Sequence, residues 1–127
     1  MRLLFAILGL LLWLSCLIAV RADDLPVIKC SEAARYVGKH VVVRGLVVSV
    51  TTSPLGTAFI NFGGEYPNQV FAGFISAESK LANNERLATL QGKIIDIIGT
   101  IELDRGKPEI KVMSADQIKG LEPPLVQ

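Results

Sequence analysis

Four side chains in the middle of the chain have the types and spacing to hold a planar ring: Phe59, Asn61, Gln69 and Phe71. In Ala58-Phe59-Ile60-Asn61-Phe62 the apolar set Ala58, Ile60 and Phe62 alternates with Phe59 and Asn61. A strand sends alternate side chains to opposite faces, so the first set suits a core and the second an outer face. If the next strand, Gln69 to Ile75, keeps the same phase, Gln69 and Phe71 join the outer face while Val70, Ala72 and Phe74 turn inward. Aromatic rings flanked by carboxamides can stack on a base or sugar and hydrogen-bond its edge. Such stacking contributes about 1–3 kcal/mol per base in single-strand binders. A register shift of one residue would instead put both phenylalanines in the core.

Charge offers less. Arg44 on the preceding strand and Arg105, Lys107 and Lys111 around the last hairpin could meet a phosphate. Glu102, Asp104 and Glu109 are interleaved with them, as they would be on a merely solvated hairpin. Tyr66-Pro67 either lines a pocket or stiffens its loop. His40 is the single histidine, with no partner at metal-ligand spacing, so no metal or other cofactor is expected. Asp96 and Glu102 are isolated, there is no Gly-x-Ser-x-Gly elbow, and one histidine removes most general-base triads. A non-enzymatic protein is expected.

The elements that must position these residues are mostly strands. Ser31 suits an N-cap, with Glu32 in the first turn of a short helix. His40 to Val50 is valine-rich, and Gly45 within it is the expected place for a bulge or sharp coil. Thr57 to Phe62 and Gln69 to Ile75 are the second and third strands. Ser76 to Leu90, with Leu81, Leu87 and Leu90 among polar residues, predicts one helix or two short pieces broken near Asn83-Asn84. Lys93 to Leu103 is a fourth strand, Asp104-Arg105-Gly106-Lys107 a tight hairpin turn, and Pro108 to Met113 a fifth strand. Ser114 to Ile118 could add a last helical turn. The order β-β-β-α-β-β, all-β with a capping helix between strands three and four, is the connectivity of the five-stranded OB-fold barrel. A generic five-stranded sandwich is the competing architecture.

The stretch Gly38-Lys39-x-Val41-x-Val43-x-Gly45-x-Val47 resembles the opening strand of tRNA-anticodon-type OB domains. Ala58-Phe59-Ile60-Asn61-Phe62, followed by Asn68-Gln69-Val70-Phe71, extends the resemblance. In the aspartyl-tRNA synthetase class an aromatic on strand two and a glutamine opening strand three touch anticodon bases. The resemblance implies that role for Phe59 and Gln69, here across a slightly shorter loop. The chain also looks like small exported bacterial OB-fold proteins with an Asn-Phe-Gly segment followed by Tyr-Pro-Asn-Gln.

Met1-Arg2, the 18 apolar or small residues Leu3 to Val20, and Val20-Arg21-Ala22 have the order of a secretory signal peptide cut after Ala22. The alternative is an uncleaved N-terminal membrane anchor. Residues 1–22 are thus expected as leader, 23–120 as an OB-fold domain and 121–127 as a flexible tail. Of the 13 basic residues Arg2 and Arg21 leave with the leader, so 11 face 12 acidic ones, a net charge of about −1. That balance disfavours strong non-specific phosphate binding. Only Cys30 remains, so no intrachain disulfide can form in the oxidising space outside the cytoplasm. The expectation is a periplasmic or secreted protein binding single-stranded nucleic acid, or a nucleotide-like or sugar-like ligand such as an oligosaccharide. The alternative is a protein-interaction or envelope-stress module that partners an envelope protein and takes no small ligand.

Overall fold

The computed structural model describes residues 24–120. The expected leader, 1–22, and the expected tail, 121–127, lie outside the described residues. The elements run β1 (Val27–Lys29), a 3-10 helix Cys30–Tyr36, β2 (His40–Thr52), β3 (Ala58–Phe62), β4 (Phe71–Ile75), 3-10 helices Lys80–Asn83 and Glu85–Leu90, β5 (Ile94–Thr100), β6 (Glu102–Asp104), β7 (Lys107–Lys111), a 3-10 turn Ala115–Gln117 and β8 (Ile118–Lys119). The domain is all-β. Its eight strands form one sheet in the order β6-β7-β4-β3-β2-β5-β8, with β1 beside β2.

The valine-rich stretch becomes the long strand β2, and it serves two neighbours. Its first half pairs antiparallel with β5, from His40 opposite Thr100 to Leu46 opposite Ile94. Its second half pairs antiparallel with β3, from Val47 opposite Phe62 to Thr52 opposite Ala58. The irregularity between the halves lies at Val47–Ser49, not at Gly45, where the ladder to β5 continues unbroken. Gly45 has a packing reason instead. A Cβ there would stand 2.7 Å from Cys30 Sγ and 2.9 Å from Phe62 Cδ1, so only glycine lets these side chains close over the strand. Cys30 opens the first 3-10 helix, and burial pushes its thiol pKa up. That helix starts at Cys30 with Lys29 at its cap position, so Ser31 is not the N-cap.

The expected capping helix is two 3-10 pieces. Asn84 breaks them, its side chain accepting the backbone N–H of Arg86 at 2.9 Å. A local turn of this kind competes with helix continuation. Leu87 and Leu90 are buried and pack this segment onto the core. The core itself gathers Val43, Val47, Ile60, Phe62, Phe71, Ile97 and Ile110 from five strands.

The expected fourth strand is divided into β5 and β6, with only Ile101 between them. Ile101 is fully buried and forms an isolated bridge with Val37. The Asp104–Lys107 turn closes with Arg105 at φ 51° and Gly106 at φ 81°, the two positive values that a tight type I′ hairpin demands. β7 then pairs antiparallel with β6 and parallel with β4. Gln117 fastens the last turn. Its Oε1 accepts from the Met113 N–H at 2.7 Å and its Nε2 donates to the Ile98 carbonyl on β5 at 3.0 Å.

Candidate functional site

The register of β3 against β4 decides which side chains share the outer face. Phe59 lies opposite Phe74, Asn61 opposite Ala72, and Phe62 opposite Phe71. Directly opposed residues point the same way. Phe74 and Ala72 therefore join Phe59 outside, while Phe71 joins Phe62 in the core. The expected outward placement of Phe71 is corrected: it is 0% exposed, its ring centroid 5.3 Å from that of Phe62. The phase of β4 was reversed because Val70, Ala72 and Phe74 are as apolar as Phe71, Gly73 and Ile75. Alternation alone could not choose between the two sets.

Phe59 is the centre of an aromatic group. Its ring centroid is 5.5 Å from that of Tyr66 and 5.6 Å from that of Phe74, the latter in an edge-to-face arrangement. Tyr66, from the loop before β4, is half exposed. These three rings and Ala72 form one wall of a cleft of about 420 Å³. The β6–β7 hairpin, whose β7 adjoins β4 in the sheet, contributes Glu102, Asp104, Arg105, Lys107, Glu109 and Lys111.

Asn61 does not line this cleft. It is fully buried, and its Nδ2 donates to Ser49 Oγ at 3.2 Å and Thr51 Oγ1 at 3.1 Å, tying β3 to β2. Gln69 does line it, just before β4, with 8% of its surface exposed. Its Oε1 is buried with no hydrogen-bond partner among the described residues. Lys107 Nζ donates to the backbone carbonyls of Pro67 and Gln69, holding the loop against the hairpin. Its ammonium is thereby committed to protein oxygens. Arg105 stands at the hairpin apex on the cleft rim.

Arg44 is elsewhere. On β2, opposite Asp96 of β5, it makes a two-pronged ion pair, Nε to Oδ1 at 2.7 Å and Nη2 to Oδ2 at 3.0 Å. The structure does not bring it to the cleft. His40, at the start of β2, has Nδ1 3.1 Å from Thr100 Oγ1. Among the described residues no three His, Cys, Asp or Glu side chains gather as a metal site requires.

Phe74, Glu102 and Glu109 are among the cleft residues that the sequence does not mark as ring or ligand contacts. For Glu109 a signal existed, since Glu109 and Lys111 alternate with the apolar Pro108, Ile110 and Val112. Glu109 is only 9% exposed and sits opposite Glu102 across β6–β7, where like charges repel. Burial raises its carboxyl pKa, and Asp104 and Glu102 add to that while Lys111 opposes it. Neighbours cover the side chain, yet it lies in an open cleft, so the burial penalty is a partial one. Lys111 Nζ is 3.4 Å from Glu102.

No known sequence family matches the chain. No curated protein sequence does either. Among solved structures it is similar to a protein of Leishmania major Friedlin assigned as an aspartyl-tRNA synthetase, at a TM-score of 0.51 and 18% identity. The match covers 86% of this chain and 23% of that one, so the chain spans about a quarter of its length. At that identity the likeness bears on the fold alone.

Proposed function

We propose that this chain is an exported, non-catalytic binding protein on an OB-type barrel, whose β3–β4 cleft takes single-stranded nucleic acid or a nucleotide-like or sugar-like ring. The strand pairing supports the barrel. Taken as one strand, β5 and β6 carry the path from β2 through β3, β4 and β7 back to β2. The structural similarity to an aspartyl-tRNA synthetase supports the same topology. Export rests on the order of charge, apolar run and small-residue site in residues 1–22. Among the described residues no helix is long and apolar enough to cross a membrane.

The observation that carries the ligand class is the placement of Phe59. It lies between Tyr66 and Phe74 at the wall of a cleft that also holds a buried carboxamide. Rings stack on such a surface whatever their sequence, and polar groups beside it orient them. The test is fluorescence anisotropy of labelled single-stranded DNA and RNA at two salt concentrations, with Phe59→Ala beside the parent. Salt-dependent binding that this substitution weakens supports the proposal. Absence of binding at low salt, where phosphate attraction is strongest, defeats its nucleic-acid form.

A second function has its own observation. Leu55, Leu103 and Tyr66 are all at least half exposed, Leu103 and Tyr66 on the cleft itself. An apolar rim of this kind fits an envelope protein partner, and co-purification with that partner in place of oligonucleotide affinity would favour it.

A further inference from the structure

The registers of β1, β2, β5 and β8 line up a second outer face, none of whose side chains lines the cleft. Lys29 stands opposite Arg44, Arg44 opposite Asp96, and Asp96 opposite Lys119, a row of charges across four strands. An apolar row flanks it on each side, Leu46 with Ile94 and Val27 with Val42 and Ile98. Ile28, Val43, Ile95 and Ile118 alternate with these along the strands and are buried in the core, which fixes the rows as outward. Val27, Leu46 and Ile94 are each more than half exposed, so aliphatic surface lies bare on both sides of the charges. Asp96 is taken by Arg44, and neither Lys29 nor Lys119 makes an ion pair among the described residues. The row thus sets Lys29, Arg44 and Lys119 against Asp96 alone, whereas the cleft matches Arg105, Lys107 and Lys111 with Glu102, Asp104 and Glu109.

We propose that this face seats the domain on an anionic lipid surface, with Lys29, Arg44 and Lys119 at the headgroups and Val27, Leu46 and Ile94 entering the headgroup–acyl boundary. A peripheral membrane surface combines these two elements, since burial of apolar area adds to the attraction of cations for anionic lipid. A nucleic-acid backbone would reward the cations alone and leave the three aliphatics in water. The place of β1 in the chain points the same way. Only residues 21–26 separate it from the apolar run Leu3 to Val20, and fully extended they reach about 20 Å. A leader or anchor at that run keeps β1, which pairs with β2 on this face, within that distance of the bilayer. The cleft shares no residue with the face, so lipid contact is independent of ring binding and leaves the cleft open to its ligand.

The experiment is flotation of residues 23–127 with vesicles of phosphatidylcholine, alone or with about one-third phosphatidylglycerol, at low and high salt. That chain carries the whole described core, which runs from Ile28 to Ile118, and melting curves check the fold of each variant. The parent should bind the mixed vesicles, lose affinity as salt rises, and bind pure phosphatidylcholine far more weakly. Lys29→Ser with Lys119→Ser should weaken binding about twentyfold, each cation near the surface contributing about fivefold. Ile94→Ser should weaken it several-fold, and Leu103→Ser, on the cleft, should not. Absence of flotation with the mixed vesicles at low salt overturns the proposal. So does equal binding to the two compositions, or a loss in Leu103→Ser as large as that in Ile94→Ser. Oligonucleotide binding that the lysine substitutions weaken, without vesicle binding, overturns it too and gives the face to nucleic acid.

Discussion

Phe59 and Phe74 stand directly opposite each other on β3 and β4, ring centroids 5.6 Å apart and planes inclined by 67°. Edge-to-face contact of this kind holds Phe59 in place while leaving part of it open to the cleft. Replacing Phe59 by alanine should weaken oligonucleotide binding about tenfold, the loss of one stacked base. Phe74→Ala should act in the same direction by releasing the Phe59 ring. Anisotropy curves that superimpose on the parent's would remove the platform.

Phe71 should behave in the opposite way. It is fully buried against Phe62, so Phe71→Ala should cost about 3–5 kcal/mol of stability through lost burial and a cavity. Urea unfolding reads this directly. A loss below about 1 kcal/mol would mean that Phe71 faces outward after all.

Gly45→Ala should destabilise by about 1–3 kcal/mol, because the new methyl would meet Cys30 Sγ and Phe62 Cδ1 within 3 Å. Shortening the obstacle with Cys30→Ala should recover part of that loss. A double-mutant cycle measures the coupling, and strict additivity would show that the two positions do not compete for space.

Glu109 links stability to pH. Its carboxyl is raised in the folded protein, chiefly by burial and then by Asp104 and Glu102. Between the ordinary glutamate value and that raised value the native state holds more proton than the unfolded chain. Stability therefore falls as pH rises through the window and is fully present below it. Glu109→Gln removes the titration, so it should melt higher than the parent above the window and lose that advantage below it. Melts from about pH 4 to about pH 8 would show the crossing, and a constant difference would contradict it.

Arg44→Ala should leave ligand binding untouched, since the Arg44–Asp96 pair lies away from the cleft. Its effect on melting should be small and should fade with added salt, as for other exposed ion pairs. Weaker oligonucleotide binding in this variant would return Arg44 to the site.

Much of the architecture was legible because strand patterns are local. The valine run at 41–43, the breakers at Gly63-Gly64 and the Asp104–Lys107 turn each announce themselves within a few residues. The segment from Ser76 to Leu90 was half legible. Its leucines mark the buried side, but the break at Asn84 and the 3-10 geometry follow from side-chain-to-backbone bonds that no periodicity shows. Arg44 was misplaced for a related reason. A cation on a strand gives no sign of which carboxylate will face it, and Asp96 is 52 residues away.

What the sequence by itself determined is the all-β class, the order of the longer strands β2, β3, β4, β5 and β7, and the phase of β3, where Ala58, Ile60 and Phe62 leave no rival core set. The short strands β1 and β8 and the division of β5 from β6 make eight strands where five are expected. Only the tertiary structure decided the phase of β4, the place of the irregularity in β2 and the company of Glu109. Each depends on register between strands far apart in the chain. A shift of one residue exchanges the two faces of a strand, and when both faces are equally apolar only the partner strand can choose.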